Sequence, residues 1–174
     1  SQTCGLPFPT VLHDKVTLIG TPDYGLRGCS PGYYKPCVVV RRDDPRHHLV
    51  EFEGARLARN DIRFIGMGGD RKELTERSLR FSFAGAVIDI GSHRCSAQAV
   101  AEARADIASL DAVTWTLLKR ETCLAQQLRV IATTRPTPGL PFITAQAEPA
   151  KPLFAATTRA VESLSARDRA RSLF

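Results

Sequence analysis

The chain has 174 residues, of which 43% are hydrophobic and 24% charged, so it fits one globular domain or two small lobes and is not a disordered chain. Its formal net charge is +6, but the lysines and arginines are scattered singly or in pairs. Because no dense basic stripe with interleaved aromatic residues is present, nucleic-acid binding is disfavoured, and a small anionic ligand is the better interpretation of the charge.

The first half of the chain predicts short strands separated by loops that are rich in glycine and proline. The predicted strands are 15–20, 37–40 and 55–58. The second of them is continuously apolar and β-branched, as in a strand buried on both faces. The connection 22–36 carries Tyr33 and Tyr34, and 48–52 predicts a short helix or an extended piece. Periodicity is poor from 62 onward, and 79–90 is an apolar, strand-like run without a clear partner.

The most informative stretch, 91–111, predicts a loop, a helix and a strand in succession. Ser92 and Ser96 are both good helix caps, and an apolar run at 107–110 ends in the carboxylate of Asp111. The loop brings hydroxyl groups and the His93 imidazole to a helix N-terminus, where the dipole and the free N–H groups favour an anion. Asp111 follows a strand, where open α/β sheets bind their ligands. The two polar ends are therefore expected to face one crevice.

The second half predicts parallel-rich α/β structure that returns to the first lobe. The predicted elements are a helix at 112–120 capped by Asp111, a lead-in at 123–127, strands at 128–133 and 142–145, an amphipathic helix at 151–164 and a frayed helical tail at 165–174. The inward side of the long helix is predicted to be Leu153, Phe154, Ala160, Val161 and Leu164. The proline-rich segment 135–141 is stiff and predicts a crossing between lobes. We expect a first lobe from 1–36 and 131–174, with both crossings, and a second lobe from 37–130.

The five cysteines lack the paired close spacing of a zinc site, so no metal is predicted. Cys4 and Cys29 lie in glycine-flanked loops and could form a disulfide in an extracytoplasmic protein. The alternative is five reduced thiols, with Cys37 and Cys95 packed as small apolar side chains. No apolar run is long enough to span a bilayer.

Several stretches, in order, resemble the phosphate, phosphite and phosphonate substrate-binding proteins of ABC importers. They are Gly32-Tyr33-Tyr34 leading into Val38-Val39-Val40-Arg41, Phe52-Glu53-Gly54-Ala55-Arg56-Leu57-Ala58 followed by Asn60-Asp61, the 91–111 core with Ala112-Val113-Thr114-Trp115, and Leu128-Arg129-Val130-Ile131 through Thr137-Pro138-Gly139-Leu140-Pro141-Phe142. Together these stretches span most of residues 16–146.

The resemblance implies a type 2 periplasmic binding fold, an α/β protein with two lobes and a hinge. It implies a periplasmic or otherwise extracytoplasmic monomer without a cofactor, which captures a phosphorus oxyanion between its lobes and delivers it to an ABC permease in the membrane. By carry-over, Ser92 and His93 bind phosphoryl oxygens, Asp111 faces the ligand, and Tyr34, or second to it Tyr33, contacts the ligand near the first crossing. The family also has an N-terminal part before the equivalent of Ser1, so the first lobe is expected to be incomplete.

One segment departs from the family pattern. After Asn60-Asp61 the family carries a Ser-x-Ser-Gly-aromatic element that binds the ligand, whereas residues 62–69 contain no serine. We interpret 62–90 as an aberrant segment, and hypothesise translation in a shifted reading frame. The codons of Met67-Gly68, read one nucleotide later, give Trp, and suitable preceding codons give Ser-Gly before it. Resequencing of the coding DNA tests this hypothesis: an intact gene without compensating insertions or deletions would refute it.

Three alternatives stay open beside an importer component. The same fold serves as the ligand-sensing effector domain of regulators, although these residues contain no helical DNA-reading module. The chain could also be a non-functional remnant of a binding protein. An enzyme acting on oxyanions is disfavoured, because no obvious nucleophile or metal set accompanies His93 and Asp111. We therefore predict no enzymatic activity.

Overall fold

The computed structural model describes residues 2, 12, 14–60, 84–146 and 148–168, and the structural statements below concern those residues. The chain divides into two compact units, which we call the terminal unit (Ser1–Tyr34 with Thr137–Phe174) and the central unit (Lys35–Pro136). The predicted lobe boundaries fall at 36/37 and 130/131, with the second crossing predicted at 135–141, and the action of the two units as lobes about a hinge stays a prediction.

The elements alternate between short strands and helices. In chain order they are β1 (Val16–Gly20), β2 (Tyr33–Tyr34), β3 (Cys37–Arg41), a 3₁₀ turn (Leu49–Phe52), β4 (Ala55–Arg59), β5 (Ala84–Asp89), α1 (His93–Ala101), β6 (Ile107–Leu110), α2 (Ala112–Glu121), a second 3₁₀ turn (Leu124–Gln127), β7 (Leu128–Thr133), β8 (Thr137–Pro138), β9 (Phe142–Ala145) and α3 (Ala150–Ser163). The strands predicted at 107–110, 128–133 and 142–145 have the predicted bounds. The short strands β2 and β8 were not predicted, because they lie in the segments 22–36 and 135–141 that were predicted as connections.

The central unit contains a five-stranded mixed sheet in the order β5-β4-β6-β3-β7. Strands β5, β4 and β6 are mutually parallel, and β3 is antiparallel to both β6 and β7. The expectation of parallel-rich sheets is therefore correct on one side of the sheet and wrong around β3, because one strand of opposite direction makes both of its pairings antiparallel. The strand-like run that had no clear partner in sequence pairs with β4 through its described part, β5.

The middle strands of this sheet are buried on both faces. Val38, Val39 and Val40 have no exposed surface, and all four residues of β6 are buried. One face packs under α1, with Val39, Leu110 and Val100 in the same cluster. The other face carries Phe52, which is fully buried against Val38 and its neighbours. Two apolar layers thus hold the sheet, as expected for a β-branched run without polar alternation.

The terminal unit contains two small antiparallel sheets, β1 with β9 and β2 with β8. Helix α3 packs against β1, and the Phe154 ring lies over Gly20, where an added Cβ would come 2.9 Å from the ring. The prediction that one side of this helix is buried is wrong, because none of its described residues is buried. Phe154 is 53% exposed, and Ala160 is exposed. A two-stranded sheet offers too small a surface to bury a helix face of that length.

The thiols differ from the predicted packing at one position. Cys29 is a free thiol, as in the alternative of reduced cysteines and not in the disulfide with Cys4, and Cys4 lies outside the described residues. Cys95 is exposed on α1, and Ser96 is the fully buried side chain beside it. Cys37 is buried as predicted, and burial, together with the negative charge of Asp111, raises the pKa of its thiol to about 12. Cys37 is therefore a neutral, apolar side chain of the core.

An ion pair joins β4 to the start of β6 at the amino edge of the parallel strands. The Asp106 carboxylate accepts hydrogen bonds from the Arg56 backbone N–H at 2.8 Å and from its guanidinium at 3.0 Å. Bonding to Arg56 lowers the pKa of Asp106 below its usual range, first through the side-chain hydrogen bond. An acid whose pKa is lower in the folded state stabilises the fold above its unfolded pKa, and this contribution disappears as the pH falls through the folded pKa.

Replacing Asp106 by asparagine should therefore reduce the acid sensitivity of the fold. We expect Asp106→Asn to lower the melting temperature at neutral pH and to flatten its decrease between about pH 5 and pH 2. A thermal melt series over that range measures both effects. The control is Asp43→Asn, which removes a carboxylate that is largely exposed beside Arg41. Equal acid profiles for wild type and Asp106→Asn would contradict the prediction.

Candidate functional site

Polar residues collect where the three parallel strands of the central unit end. Asn60 follows β4, Ser92 and His93 follow β5 and its short loop, and Asp111 follows β6. Because β5, β4 and β6 are parallel, their carboxyl ends share one edge of the sheet. Helices α1 and α2 both begin at this edge. The edge therefore presents two helix N-termini and four polar side chains, an arrangement that suits an anion.

Ser92 is the N-cap of helix α1, directly before its first residue. Its backbone is extended, and its Oγ accepts a hydrogen bond from the Cys95 backbone N–H at 3.1 Å. The hydroxyl hydrogen is still available as a donor, because this bond uses only a lone pair of the oxygen. Ser92 is thus the helix cap that the sequence predicted, and Ser96, the other candidate cap, is instead packed inside.

Asp111 is the N-cap of helix α2, and it is 4% exposed. Its Oδ1 accepts a hydrogen bond from the Thr114 backbone N–H at 2.8 Å. Its Oδ2 lies 3.5 Å from Nε2 of His93. The helix dipole and the cap hydrogen bond stabilise the buried negative charge, and Oδ2 retains capacity to accept a further hydrogen bond.

His93 is the first residue of α1 and is held through both ring nitrogens. Its Nδ1 lies 3.3 Å from the Ser109 carbonyl oxygen on β6, and its Nε2 lies 3.1 Å from Nδ2 of Asn60. The imidazole therefore bridges two neighbouring strands. The side chain is 14% exposed, so it sits largely within the protein rather than on a free loop.

Asn60 was missed as a site residue, although it stands inside a stretch that resembles the family. It is 7% exposed and contacts the imidazole of His93, which is 33 positions away in sequence. A signal was available, since a polar amide directly after an apolar strand is where α/β sheets carry ligand-binding groups. The neighbouring strand β6 holds the buried Ser109 hydroxyl, which has no hydrogen-bond partner among the described residues.

Three of the four predicted site residues lie together in the central unit, and the fourth belongs to the terminal unit. Ser92, His93 and Asp111 all lie in the central unit at the edge described above, whereas Tyr34 is buried in β2 of the terminal unit and pairs with Thr137. Their contact with a ligand stays a prediction. Residues 62–69, where the serine-rich element is absent, lie outside the described residues, as does most of the segment interpreted as aberrant.

The described part of the chain contains no group of three or more His, Cys, Asp or Glu side chains placed to hold a metal ion. Among its helices, none has the length and apolar character needed to cross a membrane.

Solved structures with the same fold include binding proteins of ABC transporters and a histidine kinase sensor domain. A Xanthomonas citri protein bound to ATP superposes with a TM-score of 0.64 at 16% identity, over 99% of this chain and 67% of that one. The binding protein component of an ABC phosphonate transporter from Pseudomonas aeruginosa gives 0.58 at 14% identity, over 90% and 53%. The periplasmic VFT2 domain of Bordetella pertussis BvgS gives 0.57 at 15% identity, over 94% and 62%. The chain is thus an α/β protein of the periplasmic-binding-protein fold, and spans about half to two thirds of the length of these structures.

The family follows from the sequence match. Residues 4–169 match the family described as "ABC transporter, phosphonate, periplasmic substrate-binding protein". The match covers nearly the whole chain, so the chain belongs to this family, as the resemblance implied. A search of curated protein sequences finds no significant match.

Proposed function

We propose that this protein is the solute-binding component of an ABC importer, and that it captures a small phosphorus oxyanion such as phosphate, phosphite or a phosphonate. The observation that carries the proposal is the joint placement of Ser92, His93, Asn60 and Asp111 at the carboxyl edge of parallel strands. The family assignment supports a transport role, an extracytoplasmic location and an ABC permease as partner.

The chemistry of this edge suits a phosphoryl group. The hydroxyl of Ser92 and the first backbone N–H groups of α1 are short hydrogen-bond donors, and such donors bind phosphoryl oxygens. Asp111 is acceptor-only when ionised, so it favours a ligand that carries a proton or an amine over one that carries neither. Tyr34 remains a predicted ligand residue on the strength of the resemblance.

The alternative of a ligand-sensing domain uses the same kind of site. A solved histidine kinase sensor domain has the same fold, and a fold at this level of identity does not distinguish sensing from transport. The family assignment favours the importer. Co-purification with an ABC permease, rather than with a regulator, distinguishes the two.

A ligand panel tests the proposal. We expect isothermal calorimetry and thermal melts of the purified chain to detect one or more of phosphate, phosphite, methylphosphonate and 2-aminoethylphosphonate, because a ligand that binds only the folded state raises its melting temperature. His93→Ala should weaken that binding by about tenfold or more, as expected for a lost hydrogen-bonding group at a charged site.

The matched control is His47→Ala, which removes an exposed imidazole from the same unit, outside the candidate site. It should bind like the wild type. A cooperative melt with no shift for any member of the panel would contradict the proposed function and favour the non-functional remnant.

A further inference from the structure

The site contains a hydrogen-bonding conflict that centres on His93. Its Nδ1 faces the Ser109 carbonyl oxygen at 3.3 Å, and a carbonyl oxygen only accepts hydrogen bonds. Nδ1 therefore carries a hydrogen. In a neutral imidazole with Nδ1 protonated, Nε2 has a lone pair and no hydrogen.

The two neighbours of Nε2 make opposite demands on it. Nδ2 of Asn60, at 3.1 Å, is a donor and matches the lone pair of a neutral ring. Oδ2 of Asp111, at 3.5 Å, is an acceptor and would match an Nε2–H group. Asn60 thus favours the neutral ring and Asp111 favours the charged one. All three side chains are largely buried, so water has little access to form hydrogen bonds with the mismatched groups.

The Asn60 amide can resolve the conflict by turning. When His93 is neutral, Nδ2 donates to Nε2, and Oδ1 of Asn60 and Oδ2 of Asp111 remain as acceptors. When His93 is protonated, Nε2–H can be donated to Asp111 and to Oδ1 of Asn60, once the amide has rotated by half a turn. The Asn60 NH₂ group then becomes the free end of the amide.

We propose that Asn60 is a specificity-determining residue, and that protonation of His93 turns its amide and changes this edge from accepting hydrogen bonds to donating them. His93 acts as the positioning residue for Asn60. The proposal deepens the proposed function only in its consequence for ligands, since the coupling of the two side chains exists without any ligand.

The other charged and titratable groups near α1 do not duplicate this role. On its own helix they are Arg94 and Cys95, with Glu102 at its C-terminal cap. On the elements packed against it they are Cys37 and Arg41 on β3, Arg56 on β4 with the ion pair of Arg59 and Asp89, Asp111, Lys119, Arg120 and Glu121 at α2, Cys123 before the second 3₁₀ turn, and Arg129 on β7. Arginine and lysine stay charged near neutral pH. The Cys37 thiol stays neutral, because its pKa is raised to about 12. Histidine is the side chain whose charge ordinarily changes between about pH 5 and pH 8.

The consequence for ligands has a definite sign. Low pH gives a positive ring and a donating amide, so affinity for a fully deprotonated oxyanion should rise. High pH leaves two acceptors, Oδ1 of Asn60 and Oδ2 of Asp111, which favour ligands that bring a P–OH or an ammonium group. The site would therefore select the protonation state of its ligand as well as its phosphoryl group.

Nitrogen NMR of the ligand-free chain tests the coupling directly. Ring ¹⁵N shifts of His93 should show the Nδ1–H form at high pH. The side-chain NH₂ signals of Asn60 should move with the same midpoint as the His93 ring. In His93→Gln, which cannot take up a proton, the Asn60 signals should not titrate, whereas the control His47→Ala should retain the transition. Two results would overturn the proposal: a His93 ring with its hydrogen on Nε2 at high pH, or Asn60 signals that do not shift while the His93 ring of the wild-type protein changes protonation. Both measurements need only the wild-type protein.

A second experiment, which measures sulfate binding as a function of pH, distinguishes this inference from the proposed function. Sulfate neither gains nor loses a proton between about pH 5 and pH 8, so any pH dependence of its affinity over that range belongs to the protein. We expect affinity for sulfate to fall by roughly tenfold or more across the range in wild type, to be nearly constant in His93→Gln, and to fall by a smaller factor in Asn60→Ala, which keeps the ring charge but lacks the amide. A decrease as large in Asn60→Ala as in wild type would overturn the role of Asn60. If no oxyanion binds at any pH, the proposed function fails while the NMR titration still decides the coupling.

Discussion

Replacing Phe52 by alanine should destabilise the central unit by about 3–5 kcal/mol, the range expected when a fully buried aromatic side chain is removed from a core. Phe52 has no exposed surface and packs against Val38, Leu57 and Ile107 on one face of the sheet. The Arg46 guanidinium lies 4.0 Å from the centre of its ring and covers its outer side. The surrounding residues belong to strands held by their ladders, so the cavity can collapse only in part.

The size of this effect approaches the whole stability of a small domain, which is about 5–15 kcal/mol. We expect a large decrease in the urea midpoint, measured by the fluorescence of Trp115. This is the only tryptophan in the chain, and it packs against the core of the same unit, so the signal reports on the central unit alone.

A matched control lies on the same 3₁₀ turn. Val50 is 69% exposed, and Val50→Ala should change the free energy of unfolding by less than about 0.5 kcal/mol. Equal shifts of the urea midpoint in Phe52→Ala and Val50→Ala would contradict the prediction, because they would mean that the Phe52 side chain does not contribute to a packed core.

The strands of the central sheet were predictable because their signal is local. The runs at 107–110 and 128–133 are apolar, short and bounded by polar or loop residues, and the structure gives strands with the same bounds. The direction of β3 was not predictable in this way. A buried run such as Val38 to Val40 has the same apolar pattern whether its neighbours are parallel or antiparallel, so only the sheet order reveals that it opposes β6 and β7.

The errors have equally specific causes. The period of helix α3 identifies which residues share a side, but not how much surface the opposing sheet provides, so Phe154 was expected inside and is half exposed. On α1, Cys95 was predicted to be buried, but its neighbour Ser96 is the buried side chain. The predicted inward side of the helix was therefore off by one residue. Asn60 was missed because its partner His93 approaches only when β4 and β5 are placed side by side.

Asp111 is the site residue for which the sequence and the structure agree most closely on placement, and its substitution should change ligand preference more than stability. Asp111→Asn keeps an N-cap oxygen for the Thr114 N–H, because asparagine caps helices as well as aspartate does. It removes the buried negative charge. We therefore expect a melting temperature close to that of wild type, and Asp111→Ala to lose about 1 kcal/mol through the missing cap.

Ligand preference should respond far more strongly to Asp111→Asn than stability does. An ionised carboxylate accepts hydrogen bonds from a P–OH or an ammonium group and repels an oxyanion that has neither, so its loss should lower the preference for 2-aminoethylphosphonate over sulfate by about tenfold to a hundredfold. Parallel calorimetric titrations of both ligands into wild type, Asp111→Asn and Asp111→Ala measure the ratio of their affinities. The two variants should share the altered ratio while differing in stability, because the charge sets the preference and the cap sets the fold. An unchanged ratio in both variants would mean that Oδ2 of Asp111 does not face the ligand, and that its carboxylate serves α2 and the imidazole of His93 alone.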